Sequence, residues 1–273
     1  MRGNTIIVHK RAKNCLILIV FPPIMIAMKE VSIMIRVTVW NEFVHEKNNP
    51  EAITIYPDGI HETIRRFLSE EEDFVITVAT FDMEEHGLTQ EVLDQTDVLL
   101  WRGHMRHKLV SDAVVARVRE RILCGMGLIA LHSAHFSKIF TTMMGTGCTL
   151  GWRMESKERL WCVDPSHPIA RDVPQHFCLD NEEIYCEPFD IPNPDESVFI
   201  GWYQTGEVFR SGQVYRRGYG KIFYFQPGHE TVPTYHNPHI QKIIKNAVRY
   251  LYNPVKREGG VVCTHNKSPE ESE

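Results

Sequence analysis

Four stretches of this chain each place a histidine just behind an apolar run. The first carries Trp40, Asn41, Glu42 and His45, and the second, "WRGH" (101–104), carries Trp101, Arg102 and His104. The third carries His132, Ser133 and His135, and the fourth, "QPGHE" (226–230), carries His229 and Glu230. Imidazole moves protons near neutral pH, or binds a metal ion as the neutral ring. His104, His132 and His229, with Glu230 or Glu42, would make a shell of three nitrogens and one oxygen. Zinc prefers such a set with one position left open. No contiguous metal motif such as His-Glu-x-x-His is present, so convergence has to come from the fold. The plainer alternative is that these histidines only hydrogen-bond loop carbonyls.

The third stretch lies inside "MGLIALHSAHFSK" (126–138), which reads as a buried strand ending at a polar corner. Such a corner presents a nucleophile in many α/β enzymes and wants small residues around it. Here His132 takes the central position, and Ser133 has no glycine on either side. Ser133 therefore reads as a helix cap rather than a nucleophile. The tryptophans divide by position. Trp40 and Trp101 at strand ends read as faces for a sugar ring, whereas Trp152, Trp161 and Trp202 read as core packing. Arg102 is a candidate for binding a hydroxyl or carboxylate.

The elements that must position these side chains follow from periodicity. Strands are predicted at 35–40, 74–81, 97–101 and 126–131. Helices are predicted after Pro57-Asp58-Gly59, over "TQEVLDQT", from Ser111 to Gly125, and through Phe136, Ile139 and Phe140 to Gly145. Near-continuous apolar strands alternating with amphipathic helices indicate a parallel sheet covered on both faces. Ligands bind such sheets beyond the carboxyl ends of the strands, where all four histidine stretches fall. From Thr149 the pattern changes to strands joined by turns, so antiparallel strands, or a small subdomain, are expected to be added in the C-terminal half. A last helix carries Ile240, Ile243, Ile244, Ala247, Val248 and Leu251.

The composition excludes several classes. The 273 residues carry a net charge of -5, with neither a basic face for nucleic acid nor an acidic tail. Seven cysteines without a Cys-x-x-Cys pair argue for reduced thiols in a cytoplasmic protein. Residues 1–33 join a basic start to the apolar run "CLILIVFPPIMIAM" (15–28), which resembles a signal peptide. The run is short for a membrane span and no small-x-small cleavage site follows. The preferred expectation is a non-core extension upstream of Met34. Residues 256–273 are polar and expected to be disordered.

The motifs "WRGH" (101–104), "GMGLIALHSAHFSKIF" (125–140), "LWCVDPSHPIA" (160–170) and "GKIFYFQPGHETVPTYHNP" (220–238) stand in this order. Together they resemble the ThuA-like, or trehalose utilisation, proteins over roughly Ile35 to Pro254. That resemblance implies one α/β domain over 34–255: a flavodoxin-like parallel sheet with helices on both faces, as in class I glutamine amidotransferases. It implies carbohydrate catabolism, of trehalose or a related disaccharide or an oxidised keto-sugar. In a glutaminase the elbow reads Gly-x-Cys-x-Gly; here His132 stands in the cysteine's place and both glycines are absent. Without the thiol no glutaminyl thioester forms, so amidotransfer is not expected. Acid/base work beside a ketone needs a base, an acid and an electrophile, and His132, Glu230 and either zinc or Arg102 are the candidates. The expected partner is a small-molecule sugar, with no nucleic acid, no membrane and no nucleotide cofactor; a homo-oligomer is left open. The competing class is a non-catalytic sugar-binding or regulatory protein with the same pocket.

Overall fold

The computed structural model describes residues 11, 12, 15, 16, 33–255, 257–261 and 264–271. The chain divides into two units, Met1–Ile33 and Met34–Glu273. In the first, β1 (Arg11–Ala12) pairs antiparallel with β2 (Cys15–Leu16). The expected signal-like run otherwise lies outside the described residues. The described part of 257–271 is exposed apart from half-buried Gly260, with one 3-10 turn at Pro269–Glu271.

The second unit is built on a nine-stranded sheet. Its first parallel strands are β3 (Ile35–Asn41), β4 (Phe74–Thr80), β5 (Val98–Arg102) and β6 (Gly127–Leu131). Every residue of β5 and β6 is buried, because helices cover both faces of the sheet. Four antiparallel strands follow: β7 (Gly151–Cys162), β8 (His176–Cys186), β9 (Glu196–Tyr203) and β10 (Val208–Arg217). The chain then returns as β11 (Gly220–Phe225), which lies parallel to β6. The spatial order is β4-β3-β5-β6-β11-β10-β9-β7-β8. The five parallel strands thus have the flavodoxin-like order 2-1-3-4-5, with their switch point between β3 and β5. The antiparallel strands extend the same sheet rather than forming a separate subdomain.

One core cluster packs α3 (Ile60–Leu68) and α7 (Pro238–Leu251) on one face through Ile60, Ile64, Ile240 and Ile244. The opposite face takes α4 (Gln90–Asp94), α5 (Asp112–Leu123) and α6 (Lys138–Met144). Two short helices that periodicity did not reveal, α1 (His45–Asn48) and α2 (Pro50–Ile55), follow β3. Asn49 caps α2, its side chain accepting from Glu51 and Ala52 N–H, with Pro50 at the first helical position.

The corner after β6 differs from expectation. It is a 3-10 turn over His132–Phe136, and α6 begins only at Lys138. The cap of α6 is Ser137, which accepts from Phe140 N–H; Ser133 instead donates to the Gly103 carbonyl at 2.9 Å. A 3-10 turn crowds the side chains of neighbouring turns, which packs His132, Ser133 and His135 more tightly than a helix start would.

Glu196 at the start of β9 ties the sheet to α7. His167 Nε2 lies 2.6 Å from its carboxylate, and Tyr250 donates to the same oxygen. Burial would raise this carboxyl, but the hydrogen bonds from Tyr250, His167 and Arg216 hold it down to about 2. A depressed native pKa stabilises the fold above the unfolded carboxylate value of about 4.3, and that contribution is lost as pH falls toward 2. The thermal midpoint of Glu196→Gln is therefore expected to fall less between pH 6 and pH 3 than that of the parent chain. Equal falls in both chains would contradict the account.

Candidate functional site

His132 follows the last residue of β6 with φ of +51°, in the left-handed region. A non-glycine residue held there costs about 1–3 kcal/mol and persists only when its surroundings fix it. The surroundings do so. His132 is fully buried, and its Nδ1–H donates to the Gln226 carbonyl at 2.8 Å. A carbonyl only accepts, so the proton sits on Nδ1 and the Nε2 side is turned to the site. There Nε2 lies 3.0 Å from Glu183 Oε2 and 3.4 Å from the Tyr185 hydroxyl, with the Tyr185 ring stacked on the imidazole.

Glu183 and Tyr185 come from β8, within the antiparallel extension. Its neighbour Glu182 accepts from Gly228 N–H at 3.1 Å, His229 N–H at 3.0 Å and the Thr234 hydroxyl at 2.6 Å. That carboxylate fixes the turn carrying His229. The turn needs glycine at 228, where φ is +142° and a Cβ would collide with the Tyr235 hydroxyl. The His229 Nδ1 lies 2.8 Å from Thr231 Oγ1. His132, Glu183 and His229 thereby bring one potential ligand atom each to within 4.8 Å of one another.

A second group gathers at the β3/β5 switch point around Glu230. Its carboxylate takes Arg102 Nη2 at 2.7 Å, His45 Nδ1 at 2.6 Å and His104 Nδ1 at 2.9 Å. Glu42 shapes the same rim: its carboxylate accepts N–H groups from His104, Met105 and Arg106 at 2.8–3.0 Å. The His104 ring stands between the groups, its centroid 6.2 Å from His132 and 5.8 Å from His229.

The charges are set by burial and pairing. Burial would raise Glu230, but hydrogen bonds from His104 and His45 and the Arg102 guanidinium hold it far below the usual carboxylate range. Burial would likewise lower Arg102, but Glu230 and Glu46 keep it charged. For His132, burial alone would lower the pKa, yet the Glu183 carboxylate leaves it raised. Burial and the nearby His132 push His229 down to about 4.

Above these groups opens a cavity of about 360 Å³. His104, His229, Glu183 and Tyr185 form part of its wall, and Met105, Phe136 and Trp152 its apolar part. Ser133 and His135 also line it, with His135 Nδ1 donating to the Cys148 carbonyl. The fold therefore brings His45, Arg102, His104, His132, Ser133, His135, His229 and Glu230 to one end of the sheet.

Several expectations need correction. Trp40 and Trp101 do not face a ligand. They stack on each other at 4.1 Å, each 1% exposed, as β3 and β5 pair them side by side in the core. Trp152, Trp161 and Trp202, expected in the core, are the exposed ones. Glu230 and Glu42 are not the carboxylates beside His132, since the first is held by Arg102 and two histidines and the second by backbone N–H groups. Arg102 is buried against Glu230 and does not line the cavity. His104 belongs with His45 and Glu230 rather than with His132 and His229. The residue the sequence did not single out is Glu183. Its one signal was a pair of adjacent acids, Glu182-Glu183, just before the apolar end of the strand at Ile184 and Tyr185.

Among the described residues, no helix is long and apolar enough to cross a membrane, and Cys124, Cys148, Cys162, Cys178 and Cys186 are free. A search of curated proteins found no match. Among solved structures, the chain is similar to a protein described as ThuA-like from Parabacteroides merdae. The TM-score is 0.62 at 12% identity, covering 80% of this chain and 90% of that one. A protein described as ThuA-like from Bacteroides uniformis gives 0.58 at 16%, covering 81% and 92%. A cytoplasmic protein of Salmonella typhimurium gives 0.54 at 12%, covering 79% and 98%. The family model ThuA, described as trehalose utilisation, matches residues 36–251, and the chain belongs to the ThuA family.

Proposed function

We propose that this chain is an enzyme acting in the cytoplasm on an oxidised (keto) derivative of trehalose or a related disaccharide, by proton transfer at the carbon beside the carbonyl. The observation that carries the proposal is the orientation of His104. Its Nδ1–H is held by the Glu230 carboxylate, itself fixed by buried Arg102, while the ring lines the cavity. An imidazole oriented in this way by a carboxylate presents Nε2 as a base. Tyr185, also in the cavity wall, suits the oxygen that gains charge when the proton leaves. Burial pushes the Tyr185 pKa up, so its hydroxyl remains a donor. Trp152, 62% exposed, offers its ring to an apolar sugar face.

Hydrolysis by a carboxylate pair fits less well. Glycosidases need two free carboxyl groups flanking the bond. Glu183 is the one carboxylate among the cavity-lining residues, and Glu182 and Glu230 are occupied by other partners. Glutamine chemistry fits no better, because His132 occupies the elbow and no cysteine lines the cavity.

The test is incubation of the chain with trehalose, a keto-trehalose and glutamine, followed by NMR. Conversion of the keto-sugar alone is expected. Ammonia release from glutamine, or sugar binding without conversion, would overturn the proposal; the latter would establish the sugar-binding alternative.

A further inference from the structure

We propose that His132, Glu183 and His229 form a site for one divalent cation, zinc by the character of its donors, in the wall of the cavity. The inference rests on the function proposed above and names the electrophile that reaction needs. Ligands on one zinc, bound at about 2.0–2.2 Å, lie roughly 3–3.5 Å apart. His132 Nε2 and Glu183 Oε2 are 3.0 Å apart, and the third ligand atom stays within 4.8 Å of both. The three residues arrive from separate parts of the fold: the end of β6, the middle of β8 and the turn after β11.

Both histidines are also held by a partner behind them. Metal-binding histidines commonly give their second nitrogen to a carbonyl, carboxylate or hydroxyl, which fixes the tautomer. His132 Nδ1 does this with the Gln226 carbonyl, while His229 is held by Thr231, whose hydroxyl lies 2.8 Å from Nδ1 and whose N–H donates to it at 3.3 Å. With Nε2 unprotonated, the His132 ring would direct a lone pair at a carboxylate oxygen. Two such groups repel at 3.0 Å unless a proton or a cation lies between them. Glu182 locks the His229 backbone in place, and the left-handed backbone at His132 points its ring the same way. Glu183 and His229 also line the cavity, so a fourth position on the ion would face a sugar oxygen. The neighbouring group of His45, His104 and Glu230 is a weaker candidate, because the Arg102 guanidinium already supplies a cation to Glu230.

The experiment uses the full chain, stripped with a chelator and titrated with Zn²⁺ by calorimetry. One zinc per chain is expected. His132→Ala, Glu183→Gln and His229→Ala should each weaken binding about 10–100-fold or more, since even an outer partner is worth that much. His176→Ala, at the start of β8, should bind zinc as the parent does. Because His132→Ala could misfold, the unmutated chain loaded with Co²⁺ gives a second readout: visible bands of a tetrahedral nitrogen-rich site. Absence of stoichiometric zinc, binding indifferent to all three substitutions, or conversion of keto-sugar by the metal-free chain would overturn the site. That last result would show that the reaction needs no metal electrophile, and would leave the proposed function standing. Stoichiometric zinc lost in the three variants, without conversion of any sugar, would establish the site and refute the proposed function.

Discussion

Glu230→Ala is expected to lower the stability of the fold by about 3–5 kcal/mol, the range for breaking a buried ion pair from one side. The loss arises because Arg102 is 2% exposed and would keep its charge with its closest carboxylate gone. His45 and His104 would lose their acceptor in the same step. For a domain of this size, each kcal/mol corresponds to roughly 2–4 °C in melting temperature, so a fall of roughly 6–20 °C is expected. Arg102→Met combined with Glu230→Ala should recover much of it, since an apolar side chain of similar volume carries no unpaired charge. Thermal and urea unfolding of the three chains measure this. A loss below about 1 kcal/mol in Glu230→Ala would show that Arg102 finds water or another partner, and that the pair does not hold the site together.

His104→Ala is expected to lower the turnover of a keto-disaccharide by about 10²–10⁴-fold, the usual contribution of a positioned acid or base. The fold should tolerate the change better than it tolerates Glu230→Ala, because the His104 side chain is 26% exposed while that of Glu230 is 4% exposed. A fall in kcat with little change in KM marks the loss of a group that acts in the transition state. A rise in KM alone would instead assign His104 to sugar binding.

The strands were legible because their signal is local. Runs such as Val98–Leu100 are apolar at every position, and the structure buries them all. The histidines were legible for the same reason, each standing just beyond a strand whose end was visible. The pairing of groups was not legible. Arg102 and Glu230 are 128 residues apart, and only the β5 and β11 positions in the sheet bring them together. Glu183 was hidden because the sequence foresaw added antiparallel strands but not their order in the sheet, which brings β8 to His132. The tryptophans misled in both directions. A ring at a strand end looks accessible, but side-by-side pairing of β3 and β5 closes Trp40 and Trp101 against each other. Trp152 sits near the start of an inserted strand, where the sequence shows nothing of the cavity beside it.

The most direct test of the account is solvent exchange. A keto-trehalose is incubated in deuterated water with the chain, and the hydrogens beside the carbonyl are followed by NMR. The account predicts that the chain accelerates deuterium uptake at that carbon and that His104→Ala abolishes the acceleration while remaining folded. Uptake no faster than without protein, or equally fast with His104→Ala, would contradict it.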